Sequence, residues 1–214
     1  MEQVTTREPY GKIVAREVSE DDYMEHYAAD FHEWIRGYVI KMAPIHLQHD
    51  RLLEYLRILL RVYFLLNRRS IVGDLVGDPF VMRLPAVESR REPDLQIILG
   101  DNLQNLHDTY MDGPADICIE VVSPSNSEVD YGDKLKEYEK GGVGEYWLFD
   151  PARRAAFFFR QQESGGYLSI SPDADGNYQT PRLPKFVLNV PTLWQDDLPD
   201  ITQVMAAVQG MLKD

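Results

Sequence analysis

Cysteine is almost absent from the 214-residue sequence: Cys118 is the only one, so the chain cannot form an internal disulfide. No Cys/His spacing typical of a structural zinc site occurs either. Long hydrophobic runs are also lacking, because the run YLRILLRVYFLL is interrupted by arginines and is shorter than the roughly 20 residues that a membrane span needs. Met1 is followed by a polar, acidic segment rather than by the basic and apolar regions of a signal peptide. These absences predict a cytoplasmic protein that does not enter a membrane.

Positive charge is scarce over the chain as a whole, which has a formal net charge of −13. This balance disfavours a protein that coats nucleic acid, since phosphate contacts need clustered Lys and Arg. Residues 51–91 are an exception, with eight arginines against four acidic residues, a local balance of +4 that leaves −17 for the rest. An anionic partner could dock on this region, although a solvated helix face accounts for most of these arginines equally well.

The pattern of apolar residues and turn signals predicts one α/β domain over residues 1–214, with its core at about 45–151. The N-terminal elaboration, residues 1–44, is expected to contain a short helix over 21–29 and a strand pair around Arg36-Gly37. The C-terminal elaboration, residues 152–214, is expected to contain two hairpin strands, AAFFFRQ and GYLSISP, and a closing helix over 200–212.

Within the core, the best helix signal runs from His49 to Leu66, where seven apolar residues fall on one arc at 100° per residue. Arg57, Arg61 and Arg68 share the opposite side of this helix. Three strand candidates follow: SIVGDLVGDPFVMRL, PDLQIIL and DICIEVVS. A second helix is predicted in DYGDKLKEYEKGG with Asp130 as its N-cap, and then a strand in EYWLFD.

Two acidic residues adjoin predicted central strands: Asp94 in EPDLQIIL and Glu120 inside the apolar run ICIEVV. If the two strands pair, both carboxylates could reach one point. Carboxylates a few ångströms apart repel each other, so this arrangement needs a shared proton or a divalent cation, and Mg²⁺ prefers such oxygen ligands. The alternative is that Asp94 merely begins a strand after Pro93 and that Glu120 points to solvent from an edge strand. The pattern alone does not decide between the two.

The segments REPDLQIIL, DICIEVVSPSN and DYGDKLKEYEKGGVGEYWLFDP, together with HEWIRGYVIKMAP upstream, resemble the Uma-two family of the PD-(D/E)xK nuclease superfamily. The resemblance covers roughly residues 20–193. It implies a restriction-endonuclease-like αβββαβ core with a mixed central sheet, an N-terminal helix and hairpin, and C-terminal strand and helix additions. It also implies that Asp94 and Glu120 bind Mg²⁺ or Mn²⁺, helped by the Val121 carbonyl.

The lysine of the superfamily motif is displaced in this sequence, because Val122 stands two positions after Glu120 where that lysine is usual. The resemblance implies that Lys134, on the following helix, supplies the cation and orients the attacking water or stabilises the developing phosphorane charge. Lys136 lies about 200° away around the helix and is the poorer candidate.

Two further residues are candidate members of the site. Glu33 corresponds to the acid of the family's N-terminal hairpin, although Tyr38 and Lys41 stand where the family often has further acids. His49 falls on the apolar arc of its helix, so it could face the site as a hydrogen-bond donor or base. A satisfied core histidine is an equally good interpretation.

The function that these residues favour is a metal-dependent DNA endonuclease, with phosphate contacts from Arg57, Arg61 and Arg68 or from Arg90 and Arg91. One alternative is a catalytically inactive nuclease-fold scaffold that forms a homodimer or larger homo-oligomer through its C-terminal helix or the 157–159 strand. Another is a nuclease acting on RNA or on small nucleotides.

Overall fold

Two six-stranded sheets and four α-helices form most of the structure, a computed structural model that describes residues 11–28, 30–42, 44, 46–123 and 129–213. The helices are α1 (Glu20–His26), α2 (Leu47–Asn67), α3 (Leu135–Gly141) and α4 (Ile201–Leu212). The strands are β1 (Lys12–Ala15), β2 (His32–Ile35), β3 (Tyr38–Lys41), β4 (Gly73–Gly77), β5 (Val81–Leu84), β6 (Ser89–Arg91), β7 (Leu95–Leu99), β8 (Tyr110–Asp112), β9 (Ile117–Val121), β10 (Glu145–Asp150), β11 (Ala155–Gln161), β12 (Tyr167–Ile170), β13 (Asn177–Gln179) and β14 (Val187–Asn189).

The first sheet is mixed and has the order β12-β11-β10-β9-β7-β4. Within it, only β9 and β10 run parallel to each other. Helix α2 comes before β4, β7 and β9, and helix α3 connects β9 to β10. This order is the predicted αβββαβ core with its mixed central sheet, which is therefore confirmed. Strand β9 lies between β7 and β10 and is buried along its whole length, so the alternative that Glu120 points to solvent from an edge strand is wrong.

Helix α2 forms where its 3.6-residue periodicity predicts it. It begins two residues before the predicted start and ends one residue after the predicted end. Six of the seven apolar residues on the predicted arc are buried, and they pack against β9 and α4. Helix α4 begins at a capping box between Asp200 and Gln203. Only Val204 and Val208 of its predicted apolar side are fully buried, whereas Ile201 is 58 % exposed.

The second sheet has the order β1-β3-β2-β6-β5-β8, of which the sequence predicts the β2–β3 hairpin and, as part of a longer segment, β5. The segment SIVGDLVGDPFVMRL, predicted as one strand candidate, forms β4 in the first sheet and β5 in the second. The chain changes sheets at Asp78-Pro79, because proline has no N–H to continue a strand ladder. Strand β6 has only three residues, two of them charged, and gives little strand signal.

The segment that follows β9 also differs from its prediction at one point. Residues Val129–Lys134 form a π-helical turn that leads directly into α3, so Asp130 lies inside the helical segment and does not act as the predicted N-cap. The predicted end is correct, because Gly142 closes α3 in the left-handed conformation at φ +89°.

A buried carboxylate ties the C-terminal addition to the central sheet. Glu145 at the start of β10 accepts hydrogen bonds from Trp147 Nε1 (2.9 Å), the Tyr178 hydroxyl (2.8 Å), the Thr180 hydroxyl (2.5 Å) and Arg160 Nε (2.9 Å). Its charge is therefore fully paired, which allows an acid to sit in the core.

Among the helices of the described residues, none has both the length and the apolar character needed to cross a bilayer.

Candidate active site

A cavity of about 490 Å³ opens where β7 begins and β9 ends, beside the start of α2. Its walls include the polar side chains Asp78, Asp94, Glu120, His49, Asp130 and Lys134, together with Lys41 and Phe31 from the N-terminal hairpin region. Four of the five predicted catalytic residues therefore line this cavity: His49, Asp94, Glu120 and Lys134. The fifth, Glu33, lies immediately behind it.

The register of the sheet places three carboxylates in a row. Strands β7 and β9 are antiparallel with Leu95 opposite Ile119, so the next pair along is Asp94 and Glu120. Gly77 of β4 lies opposite Leu95, and the Asp78 N–H continues this ladder by donating to the Asp94 carbonyl at 3.3 Å. Directly opposite residues project from the same face of a sheet. Asp78, Asp94 and Glu120 therefore converge on the cavity.

Asp94 is 6 % exposed and is held on both sides. Its Oδ2 accepts a hydrogen bond from the Val121 N–H at 2.6 Å, and its Oδ1 lies 3.3 Å from His49 Nε2. The other ring nitrogen of His49 lies 3.1 Å from the Ser123 hydroxyl. Burial lowers the pKa of His49, but contact with the Asp94 carboxylate outweighs it and gives a net rise. His49 is thus both buried and directed at the site, a position compatible with both of its predicted interpretations.

Glu120 is 3 % exposed, and its Oε1 accepts hydrogen bonds from Lys134 Nζ at 2.9 Å and from the Tyr138 hydroxyl at 2.7 Å. Burial raises the pKa of Glu120 to about 8, against the opposing effect of Lys134 and with a further rise from the Asp94 charge. The site therefore relieves the repulsion between neighbouring carboxylates by favouring a proton on Glu120. A divalent cation at the same point would relieve it in the same way.

Lys134 points back from the π-helical turn to Glu120. Its Nζ lies 2.9 Å from Glu120, 3.5 Å from Asp130 and 3.6 Å from Glu33. Burial opposes the charge on Lys134, but these three carboxylates raise its pKa well above the usual value. Lys134 is therefore held as a buried ammonium group, whereas Lys136 is exposed.

Glu33 on β2 lies behind Lys134 and outside the residues that line the cavity. Its Oε2 is 2.6 Å from Arg91 Nη1, and its Oε1 is 3.6 Å from Lys134 Nζ. Burial alone would raise the pKa of Glu33, but Lys134 and Arg91 outweigh it and lower that pKa. Glu33 thus links the second sheet to Lys134.

Replacing Arg91 with methionine is expected to lower the free energy of unfolding by about 3–5 kcal/mol, because it leaves the buried Glu33 and the partly buried Glu137 without their shared cation. Urea unfolding measures the change. Arg68→Met, at an exposed position, is the matched control and is expected to stay within about 0.5 kcal/mol of wild type. A loss of less than about 1 kcal/mol for Arg91→Met would contradict the conclusion that Arg91 neutralises Glu33 and Glu137.

Two of the predicted phosphate-binding arginines are not available to a ligand. Arg90 is 5 % exposed and ion-paired with Glu20, and Arg91 is 1 % exposed and ion-paired with Glu33 and Glu137. The expectation that Arg90 and Arg91 contact a nucleic-acid backbone is therefore wrong, because their guanidinium groups are buried in internal ion pairs.

The arginines of α2 remain accessible. Arg61 and Arg68 are exposed, and Arg61 pairs with Asp74 at 3.2 Å. Arg57 is half-buried and lies nearest the site: a side-chain carbon added at Gly77 would be 2.9 Å from Arg57 Nη2 and 2.7 Å from the Asp94 carbonyl oxygen. The basic side of α2 thus begins beside the backbone of Asp94.

Asp78 and Asp130 are site residues that the sequence does not reveal as such. Burial, followed by the charge of Asp94, raises the pKa of Asp78 to about 6, and burial raises the pKa of Asp130 to about 6 against the effect of Lys134. The only sequence signal for Asp78 is its place before Pro79, inside the predicted strand segment SIVGDLVGDPFVMRL. Asp130 is predicted as a helix cap, a role that the local sequence explains equally well.

Glu92 is a third missed acid, completely buried between the two sheets. Its Oε1 lies 3.5 Å from the Tyr23 hydroxyl, and its Oε2 has no hydrogen-bond partner in the described part of the chain. Burial, followed by the charges of Glu33 and Asp78, raises the pKa of Glu92 to about 9. A neutral carboxyl group here limits the negative charge stored behind the site.

The donor set suits a hard divalent cation. Asp94 and Glu120 offer carboxylate oxygens at the cavity, which Val121 also lines. Over residues 11–28, 30–42, 44, 46–123 and 129–213, no group of three or more His, Cys, Asp or Glu side chains is arranged as a complete metal cage. Mg²⁺ does not need one, since it binds through one or two carboxylates and keeps several waters. The residues present therefore fit Mg²⁺ or Mn²⁺ better than zinc.

The helix and strand order, with acids at the ends of two central strands, defines a protein with the restriction-endonuclease-like fold. The chain belongs to the Uma2 family, whose model is described as "Putative restriction endonuclease" and matches residues 21–191, which confirms the resemblance found in the sequence.

One solved structure with the same fold is described as a "putative nuclease belonging to DUF820" from Anabaena variabilis. The TM-score is 0.67 and the sequence identity 15 %, and the match covers 83 % of this chain and 97 % of that one. At this identity the similarity concerns the fold alone. A comparison with curated proteins gives no match.

Proposed function

We propose that the protein is a metal-dependent nuclease that hydrolyses phosphodiester bonds, with DNA as its substrate. The observation that carries the proposal is the convergence of Asp94 and Glu120 in one cavity with Lys134 Nζ 2.9 Å from Glu120. Carboxylates that bind a cation and a lysine beside them are the residue types that phosphoryl transfer needs for charge stabilisation. Membership of the Uma2 family, and a fold shared with a protein described as a nuclease, support the same reaction class.

Asp94, Glu120 and the Val121 carbonyl would hold the cation. A bound Mg²⁺ or Mn²⁺ supplies a Lewis acid for a phosphoryl oxygen and a water of lowered pKa. Val121 has a second role, because its N–H fixes the Asp94 carboxylate at 2.6 Å. Tyr138 fixes Glu120 in the same way through its hydroxyl group at 2.7 Å. Both acids are thus oriented before any ligand arrives, so little reorganisation is needed on binding.

Lys134 supplies a fixed positive charge at the reacting centre. Because three carboxylates raise its pKa, it stays protonated and can donate hydrogen bonds to a phosphoryl oxygen or orient a water. His49, held between Ser123 and Asp94, would help to orient the Asp94 carboxylate. Arg57, Arg61 and Arg68 extend a basic side from the cavity along α2, where they would contact backbone phosphates.

Metal-dependent cleavage is the expected result of a nuclease assay. Purified protein is incubated with plasmid, single-stranded DNA and RNA, each with Mg²⁺, with Mn²⁺ or with excess chelator. We expect DNA to be cut with either cation and left intact with chelator. Cleavage of RNA alone would assign the activity to RNA instead. Absence of metal-dependent cutting on all three substrates would contradict the nuclease proposal and favour the inactive scaffold.

A further inference from the structure

An aromatic side chain is held at the mouth of the cavity. Phe31 lies just before β2, lines the cavity and is 50 % exposed. Its backbone has φ +53°, in the left-handed region that bulky residues rarely adopt. Its carbonyl accepts a hydrogen bond from the Met42 N–H at 3.0 Å, which fixes the two sides of the hairpin base. A strained backbone that presents an exposed ring to a reaction cavity is typical of a functional position.

A cation on the same wall lacks the partners that neutralise Lys134. Lys41, the last residue of β3, lies opposite His32 and lines the cavity with an exposed side chain. Across the described residues, no carboxylate lies within ion-pair distance of its ammonium group, whereas Lys134 has three. Lys41 is therefore available to an anionic ligand. It stands at a position where the family that the sequence resembles often has an acid.

The depth of the site limits the form of the substrate. Asp94, Glu120 and Lys134 are 3–6 % exposed, so they lie at the floor, and Phe31 and Lys41 lie on the wall above them. A volume of about 490 Å³ is within the range of small-molecule pockets, roughly 300–1,000 Å³, and is far too small for a duplex. A phosphodiester in a paired, stacked strand can reach such a floor only if that strand leaves the helix. The net charge of −13 also disfavours a long duplex contact.

We propose that the site takes an unpaired nucleic-acid strand, with Phe31 stacked on a base next to the scissile phosphate and Lys41 bound to an adjacent phosphate. This inference rests on the proposed nuclease function and names its substrate class. Every base has a face that can stack on an aromatic ring, so Phe31 holds the strand without reading its sequence. Lys41 contributes a phosphate contact, which also carries no sequence information.

The test is binding of a fluorescent oligodeoxynucleotide to the full chain, measured by anisotropy with Ca²⁺ in place of the catalytic cation. We expect Phe31→Ala to weaken binding by about 10-fold and Phe31→Tyr to retain it, since a base stacks on either ring. We expect Lys41→Ala to weaken binding and to reduce the slope of log K against log salt by about 0.7. Lys136→Ala and Leu168→Ala, at exposed positions that do not line the cavity, are the matched controls.

An abasic substitution walked along the oligonucleotide locates the stacked base. At one position the abasic strand should bind wild type and Phe31→Ala equally, because the ring has lost its partner. The same oligonucleotide as a duplex should bind more weakly than the single strand, and an RNA copy tests whether the sugar matters.

The outcomes separate this inference from the nuclease proposal. If Phe31→Ala and Lys41→Ala bind single strands as wild type does, or if the duplex binds better, the inference is overturned even when wild type cuts DNA. If wild type binds single strands through Phe31 but cuts no nucleic acid with any cation, the strand-binding inference stands and the nuclease proposal fails.

Discussion

Substitution of Lys134 by methionine is expected to lower the cleavage rate by about 10²- to 10³-fold, the effect of removing one preorganised group that stabilises transition-state charge. Methionine keeps the length and apolar stem of lysine but has no charge and no N–H donors. The loss should fall on kcat, because Lys134 lies at the cavity floor beside Glu120 and not on the wall that would hold the strand. Single-turnover cleavage under saturating substrate measures this rate directly.

The matched control is Lys136→Met, two positions along the chain on the exposed side of α3. It should cut like wild type. Because Lys134 pairs with three buried acids, its loss also threatens folding, so each variant is first compared with wild type by thermal melting. A folded Lys134→Met that cuts within about threefold of wild type would show that Lys134 does not fill the role that Val122 cannot, since removal of such a group costs far more.

Asparagine in place of Asp94, or glutamine in place of Glu120, is expected to reduce cleavage by about 10³-fold or more. A metal ion contributes several kcal/mol to phosphoryl-transfer transition states, and each 1.36 kcal/mol is a factor of ten. Both substitutions preserve size but remove the negative charge that would bind the cation. The rate is measured with Mg²⁺ and again with Mn²⁺.

Neither variant should unfold without metal, because each removes one of two neighbouring buried carboxylates that repel each other. Asp101→Asn, at an exposed acid away from the cavity, is the matched control and should retain full activity. Equal cleavage rates for Asp94→Asn and wild type would show that the Asp94 carboxylate is not needed for the reaction.

The parts of this structure that the sequence predicts well depend on local periodicity. Helix α2 is predictable because its seven apolar residues repeat at helical spacing, and the same side packs on β9. Strand β9 is predictable because an apolar run of β-branched residues is typical of a strand covered on both faces. Glu120 stands out because it interrupts this pattern, and Asp94 because it adjoins the start of β7. The β7–β9 register explains why they meet.

The parts that the sequence does not predict depend on contacts between residues distant in the chain. The sequence shows that Arg90 and Arg91 are charged, but not that Glu20, Glu33 and Glu137 bury them in ion pairs. Strands β6 and β8 have three residues each, too few for a period to be visible. Sheet register likewise decides that Asp78 joins the row of acids, because it fixes the position of Asp78 opposite Asp94.

The central claim is that Asp94 and Glu120 form a divalent-cation site, and a Mn²⁺ titration followed by thermal melting tests it most directly. A ligand that binds only the folded state stabilises it by about 2.7 kcal/mol at a hundred times its Kd. We predict that the melting temperature of wild type and of Asp101→Asn rises with Mn²⁺, while that of Asp94→Asn and of Glu120→Gln does not. No rise for wild type, or an equal rise for all four proteins, would contradict the claim.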